Sequence, residues 1–137
     1  METKTRAPDA NEFCLVLTAT LDAGLRASEA VRERFRSLPQ ETRRDLAAVV
    51  AELVQSSVER RPGGPITVTV VVGSDEIHGE VSDHGNPAIT PRVANGGDQN
   101  GNGFALVDRL TSEWAFYEGS TDAWFEIPLG VGRQRRG

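Results

Sequence analysis

Glu52 and Ser56 stand four residues apart in "AELVQSSVERR", so on a helix they share a face. Two chemistries suit the pair: a carboxylate at Glu52 can act as a general base, and a hydroxyl at Ser56 is a weak oxygen ligand for a divalent cation. A solvated helix face has the same spacing, and on spacing alone it is the simpler reading. Asp83 closes the segment "IHGEVSD", where strand alternation sets it on the side of Ile77, Gly79 and Val81. A carboxylate on a core-facing side needs a partner. It either caps a helix or loop, or accepts a hydrogen bond from the amino group of a ligand. Gly85, two residues on, lets a ligand or another backbone come close, and Pro87 stiffens the exit. A third stretch, "DQNGNGFALV" at 98–107, places Gly101, Asn102 and Gly103 before an apolar run. Glycines at a helix entry leave backbone N–H groups free, which suits a phosphate. Ordinary turns produce the same pattern.

Other reactive residue types carry less. His78 and His84 have no Cys, Asp or Glu at metal-ligand spacing, so both read as surface residues and no structural zinc is expected. Cys14 lies in an apolar strand beside Leu15 and Leu17 and reads as core, not as a nucleophile. Trp114, Phe116, Trp124 and Phe125 fall on alternating strand positions. Some must be core, and an aromatic left outside could form a partner surface.

The elements that position these residues follow from periodicity. "EFCLVLTAT" (12–20) reads as a strand. Residues 21–38 read as a helix, with Leu25, Ala27, Ala30, Val31, Phe35 and Leu38 at helical spacing. A second helix runs from Ser37 to Arg61, opened by a Ser37–Gln40 capping box and Pro39. Its apolar stripe is Leu46, Val49, Val50, Leu53, Val54 and Ser57; Asp45, Glu52, Ser56 and Glu59 form another face. "RPGG" stops it. Strands at 65–73 and 77–83 form a hairpin across "SDE", and Ile66, Val68, Val70 and Val72 share one side. Five of the 14 glycines lie between 85 and 103, which makes 84–101 a long loop of the kind that usually serves function or stays disordered. A short helix at 103–110 follows, then a second hairpin, "EWAFYEG" and "DAWFEIPL", turning at Gly119–Ser120–Thr121.

The order is β-α-α-β-β-loop-α-β-β. It predicts an α+β, two-layer sandwich: a mixed, mostly antiparallel sheet with three helices on one face. With 137 residues, one domain over 12–128 is expected, between a polar tail at 1–11 and a basic tail at 129–137 that carries Arg133, Arg135 and Arg136. A formal net charge of −5 argues against a nucleic-acid surface. A single cysteine suits a reducing compartment, and no apolar run approaches the ~20 residues of a membrane span. The start lacks the apolar stretch of a signal peptide. These features predict a soluble, cytoplasmic protein.

Taken in order, "AELVQSSVERR", a hairpin, "VSDHGNP", a glycine-rich loop, "GNGFALVDRL" and "GSTDAWFEIPL" resemble the GHKL ATP-binding domain, over about residues 12–128. That superfamily includes gyrase, histidine-kinase catalytic domains and anti-sigma-factor serine kinases. The length looks most like the last group. The resemblance implies a Bergerat-type fold that binds ATP and Mg²⁺. Glu52 matches the helix glutamate that is the general base for phosphoryl transfer. Asp83 matches the aspartate that binds the adenine amino group, and Gly85 the glycine of the same box. Gly101 and Gly103, around Asn102, match the phosphate-holding glycines under a lid. Thr121 corresponds, in a loosely aligned stretch, to a threonine near the adenine. Implied partners are a sigma factor and a competing anti-anti-sigma protein whose serine is phosphorylated; family members often dimerise. Two positions depart from the pattern. Ser56 stands where the family has a Mg²⁺-ligating asparagine, and Pro87 where it has a second glycine. A hydroxyl is the poorer metal ligand, and phosphoryl transfer depends on the metal. The Ser56 departure therefore leaves a second reading: a GHKL-shaped protein-binding module without ATP turnover. A detached histidine-kinase domain ranks lower, because the chain has no obvious phosphoacceptor helix pair.

Overall fold

The computed structural model describes residues 11–84, 102–117 and 120–129. Its elements are β1 (Glu12–Thr18), α1 (Ala23–Arg34), α2 (Gln40–Arg60), β2 (Pro65–Val72), β3 (Glu76–Ser82), α3 (Asn102–Leu110), β4 (Glu113–Phe116) and β5 (Ala123–Pro128). This is the expected order. The five strands form one sheet in the order β1-β2-β3-β5-β4, and every pairing is antiparallel, not mixed as expected. The second hairpin accounts for this. It inserts its last strand, not its first, beside β3, so β5 becomes an inner strand and β4 the edge.

Alternation sets the inner face. Ile66, Val68 and Val70 of β2, Ile77 and Val81 of β3, and Ala123, Phe125 and Ile127 of β5 are all buried. They share one core with Ala27 and Val31 of α1, the α2 stripe and Val107 of α3. The α2 residues Leu46, Val49, Val50, Leu53 and Val54 are at most 2 % exposed, as the 3.6-residue period predicts. Fully burying each such side chain stabilises by roughly 1.5–3 kcal/mol. Trp114 and Phe116 extend the core along β4, with Phe104 of α3 against both rings. The Trp114 indole N–H meets no acceptor among the described residues.

Several local expectations are corrected. The first helix ends at Arg34, before Phe35 and Leu38, and Pro39 keeps it from resuming by disfavouring helical backbone at Leu38. The Ser37–Gln40 capping box does not form. Pro39 itself is the α2 N-cap, with no side-chain cap, and its carbonyl accepts from the Arg43 N–H at 2.9 Å. Leu25 is 60 % exposed, because α1 buries the Ala23–Ala27–Val31 edge instead. Cys14 is exposed, not core: β1 turns Phe13, Leu15 and Leu17 inward, and Cys14 shares the outer face with Val16. Asp45, expected on the polar side of α2, is 7 % exposed and engaged in polar contacts. No helix among the described residues is long and apolar enough to cross a membrane. Residues 85–101 of the expected long loop, and residues 1–10 and 130–137 of the two expected tails, lie outside the described residues.

Two glycines permit close approach. A Cβ on Gly24 of α1 would sit 3.0 Å from the Ala51 carbonyl oxygen of α2. Gly79 faces Phe125 across the β3–β5 pairing, and a Cβ there would lie 2.1 Å from Phe125 Cζ. Phe125 is fully buried, so its ring can yield only by disturbing the close-packed core around it. Gly79→Ala should therefore cost about 2–3 kcal/mol by overpacking. Urea denaturation measures this, and a change under about 0.5 kcal/mol, the range of an inert surface substitution, would contradict the jammed packing.

Candidate functional site

Asp83 follows directly after β3, with its side chain turned inward and 1 % exposed. An isolated charge there would be costly, so the surroundings must supply a cation or donors. They supply both. The Thr121 hydroxyl, in the turn before β5, donates a short hydrogen bond to Asp83 Oδ1. Arg60, the last residue of α2, donates to Oδ2 from Nη2 at 3.0 Å and from Nε at 3.3 Å. Asp83 therefore has the partner its burial requires, brought from an element 23 residues upstream.

Arg60 reaches further than this ion pair. Its Nη1 donates to Ser56 Oγ at 2.9 Å, and its Nη2 donates to Ser57 Oγ at 3.4 Å and to the Thr121 carbonyl at 3.1 Å. Its guanidinium carbon lies 5.4 Å from the centroid of the Phe116 ring, within cation–π range. One planar cation thus joins Ser56, Asp83 and Thr121, three of the residues singled out from the sequence. The next residue clamps the same corner, since Arg61 Nη1 donates to the His84 carbonyl at 2.7 Å. His84 has φ +55, a left-handed conformation that costs a residue with a side chain roughly 1–2 kcal/mol. The Arg61 bond and a Thr67 Oγ1 contact to His84 Nε2 at 3.1 Å hold it there. The chain therefore leaves β3 immediately beyond Asp83 through a strained, clamped residue, a feature that clusters at functional sites.

Glu52 lies half-buried on the same ridge of α2, two turns before Arg60 and one before Ser56. The hydrogen bonds link Ser56 to Asp83 and Thr121 through Arg60; no such bond ties Glu52 to them. Asn102 and Gly103 form the first residues of α3. Gly85 and Gly101 lie outside the described residues. Ser56 is poorly suited to Mg²⁺ in this arrangement. A divalent cation at its hydroxyl would sit beside the Arg60 guanidinium and meet like charge. Asp83 retains the chemistry of an acceptor for an amino group, with Arg60 as its present donor. Arg60 was not singled out from the sequence. Its signal was there: it falls on the Glu52–Ser56 ridge at i+8, and a core-facing Asp83 demanded a cation. Compared with known proteins, the chain matches no family model and no curated sequence.

A second polar cluster lies on the open face of the sheet. His78 Nε2 is 3.2 Å from Glu80 Oε2 and its Nδ1 3.5 Å from Glu126 Oε2, and its ring stacks on Trp124. The Tyr117 hydroxyl donates to Glu80 Oε2 at 2.7 Å. Trp124 is therefore the aromatic left outside the core. The two His78 contacts lie at opposite ring nitrogens and do not converge on a common point, and no metal-binding group of three exists among the described residues.

Two predictions follow from these charges. Arg60→Ala should destabilise the fold by about 3 kcal/mol, because it takes the guanidinium partner from the buried Asp83 carboxylate, and Asp83→Ala should cost less, because Arg60 can turn to water. The double variant should cost less than the two together, with a coupling of about 1–3 kcal/mol in a denaturation cycle. Strict additivity would mean that the pair does not form. Tyr117 is the only tyrosine, so its phenol titrates alone in the ultraviolet. Partial removal from water, then the hydrogen bond to Glu80, pushes its pKa up to about 12. The fold favours the neutral phenol. The stabilisation this gives is complete below the unfolded value of about 10. It is lost as pH rises from there through about 12. A midpoint near the unfolded value, or no downward shift in Glu80→Gln, would contradict this account.

Proposed function

We propose that this chain is an adenine-nucleotide-binding regulatory protein of the GHKL type, similar in kind to the anti-sigma-factor serine kinases. It acts through a protein partner: a sigma factor, or the anti-anti-sigma protein that competes with it. The observation that carries this reading is the buried Asp83 at the end of β3, with the Thr121 hydroxyl on one carboxylate oxygen. A carboxylate held inside a core with a hydroxyl beside it can fix an amino group and reject a ligand that lacks one. The order of elements around it, with Glu52 and Ser56 on the helix that reaches Asp83, is compatible with a two-layer Bergerat-type sandwich and supports the same reading.

A second reading rests on a specific contact. Ser56 already accepts from Arg60, which leaves the weakened metal position weaker still. On that reading the fold persists as a protein-binding module, and ATP is not turned over. The roles divide accordingly. Asp83 and Thr121 recognise the base, Ser56 is the position where Mg²⁺ binding fails, and Glu52 has the chemistry of a base without the metal that phosphoryl transfer requires.

Calorimetric titration with ATP and ADP, with and without Mg²⁺, tests the two. Micromolar binding that Asp83→Asn abolishes, in a variant shown to be folded, is the expected result. No heat at millimolar nucleotide would leave the binding module alone. Ser56→Asn should make ATP binding Mg²⁺-dependent. If Mg²⁺ already strengthens binding to the unaltered protein severalfold, Ser56 is a competent ligand and a kinase assay on a partner serine, with Glu52→Ala as control, decides turnover.

A further inference from the structure

Arg60 occupies both polar positions that a bound nucleotide would need. At Asp83 Oδ2 it offers two N–H donors, the same hydrogen-bonding type as an exocyclic amino group. Its flat guanidinium lies over the Phe116 ring, where a flat base would gain comparable stacking. At Ser56 its Nη1 takes the hydroxyl lone pair that a cation would use. The chain thus carries, on the last turn of α2, a side chain whose shape and donors imitate part of an adenine.

The side chain also has a way out. Arg60 ends its helix, and its side chain is 21 % exposed, whereas Asp83 is 2 % exposed. The cation can therefore rotate into water along its flexible stem without moving the backbone, and an arginine regains strong hydration there. The carboxylate cannot follow, and losing its guanidinium partner at that depth is unfavourable. The movement becomes favourable only when another donor takes the place of the guanidinium at Asp83.

We propose that the Arg60 side chain is an internal competitor of the nucleotide base for Asp83, and that its displacement sets the affinity of the site. This inference rests on the nucleotide-binding reading above. A ligand with an amino group displaces Arg60; one that presents only acceptors to Asp83 does not. Because the same guanidinium holds Ser56, one rotation frees the base-recognising carboxylate and the hydroxyl together. Base binding and cation access at Ser56 are therefore linked in the same direction.

Displacement has a measurable cost. If Arg60 covers Asp83 about nine-tenths of the time, the apparent affinity is about tenfold weaker than that of the open site. The test is calorimetric titration of the full chain and of Arg60→Ala with ADP, ATP and the triphosphate of unsubstituted purine riboside, which lacks the amino group, with and without Mg²⁺. Circular dichroism and a thermal melt establish that each variant is folded. Arg60→Gln is the second variant. It offers Asp83 one neutral amide in place of a charged pair of N–H donors, so it competes less, should bind ADP and ATP more tightly than the unaltered protein, and carries the test if Arg60→Ala does not fold. Arg60→Ala should bind ADP and ATP at least about tenfold more tightly than the unaltered protein, should leave the triphosphate of unsubstituted purine riboside unimproved, and should gain a Mg²⁺ effect on ATP. Adding Asp83→Asn to Arg60→Ala should remove the gain. Equal, tight binding by the unaltered protein and the folded Arg60 variants would overturn the competitor role and leave the nucleotide reading standing. No binding by any folded variant, with Arg60 gone, would overturn both.

Discussion

A single buried carboxylate constrains this fold more than any other group. Asp83 sits where β3 ends and the core begins, and its charge is tolerable there only with a matched cation and donors. The cation comes from the far end of α2 and the hydroxyl from the turn before β5. Three segments distant in sequence must therefore meet at one point. The apolar stripe of α2 sets the side of the helix that faces the sheet. The Arg60–Asp83 pair then helps fix where the helix stands along its axis. Hydrophobic burial alone fixes that axial register less tightly, because apolar contact is not directional.

The backbone around Asp83 is tied in the same way. His84 takes a left-handed conformation that few residues with side chains adopt, and Arg61 and Thr67 hold it. Consecutive arginines at the end of one helix thus grip consecutive residues at the end of one strand, Arg60 by a side chain and Arg61 by a carbonyl. The arrangement presents an organised corner whose two grips differ in kind. The Arg61 grip secures the path of the main chain. The Arg60 grip on the end of β3 holds only the Asp83 side chain, and its one main-chain contact is with the Thr121 carbonyl in the turn before β5, so releasing it leaves the β3 backbone held by Arg61.

Much of this was legible in the residues, and the exceptions share a cause. Periodicity alone located the α2 stripe, the alternating inner residues of β2 and β3, and the inward direction of Asp83. These depend only on neighbours along one element. The expectations for Cys14, Leu25 and Asp45 required knowing which elements lie beside them. Cys14 sits on the open side of an edge strand, Leu25 on the outer side of a helix that buries small residues, and Asp45 where polar contacts receive it. The insertion of β5 between β3 and β4 is likewise a matter of pairing, invisible to composition. Arg60 is the instructive case. Its place at i+8 on the Glu52–Ser56 ridge is a signal, but by itself it does not separate Arg60 from a helix-ending cation favoured by the helix dipole. Only the demand of Asp83 for a partner, carried across 23 residues, distinguishes Arg60 from an ordinary end charge.

Stability alone does not account for this choice of residues. A buried ion pair of this sort is often no better than two well-packed apolar side chains of the same volume, and sometimes worse. A leucine at each position would fill the space and strand no charge, at the cost of leaving the buried Thr121 hydroxyl without its Asp83 acceptor. What an apolar pair cannot do is open. Moving a leucine out of a core exposes apolar surface to water and leaves a cavity. Moving Arg60 out exposes a cation that water solvates well and uncovers a carboxylate already held in place by Thr121. The polar pair therefore stores a recognition group inside the core in a form that one side chain can release, at the cost of needing a donor to replace it. That asymmetry, a mobile cation against a fixed anion, is the physical reason to look for function at Asp83 and to treat Arg60 as part of it.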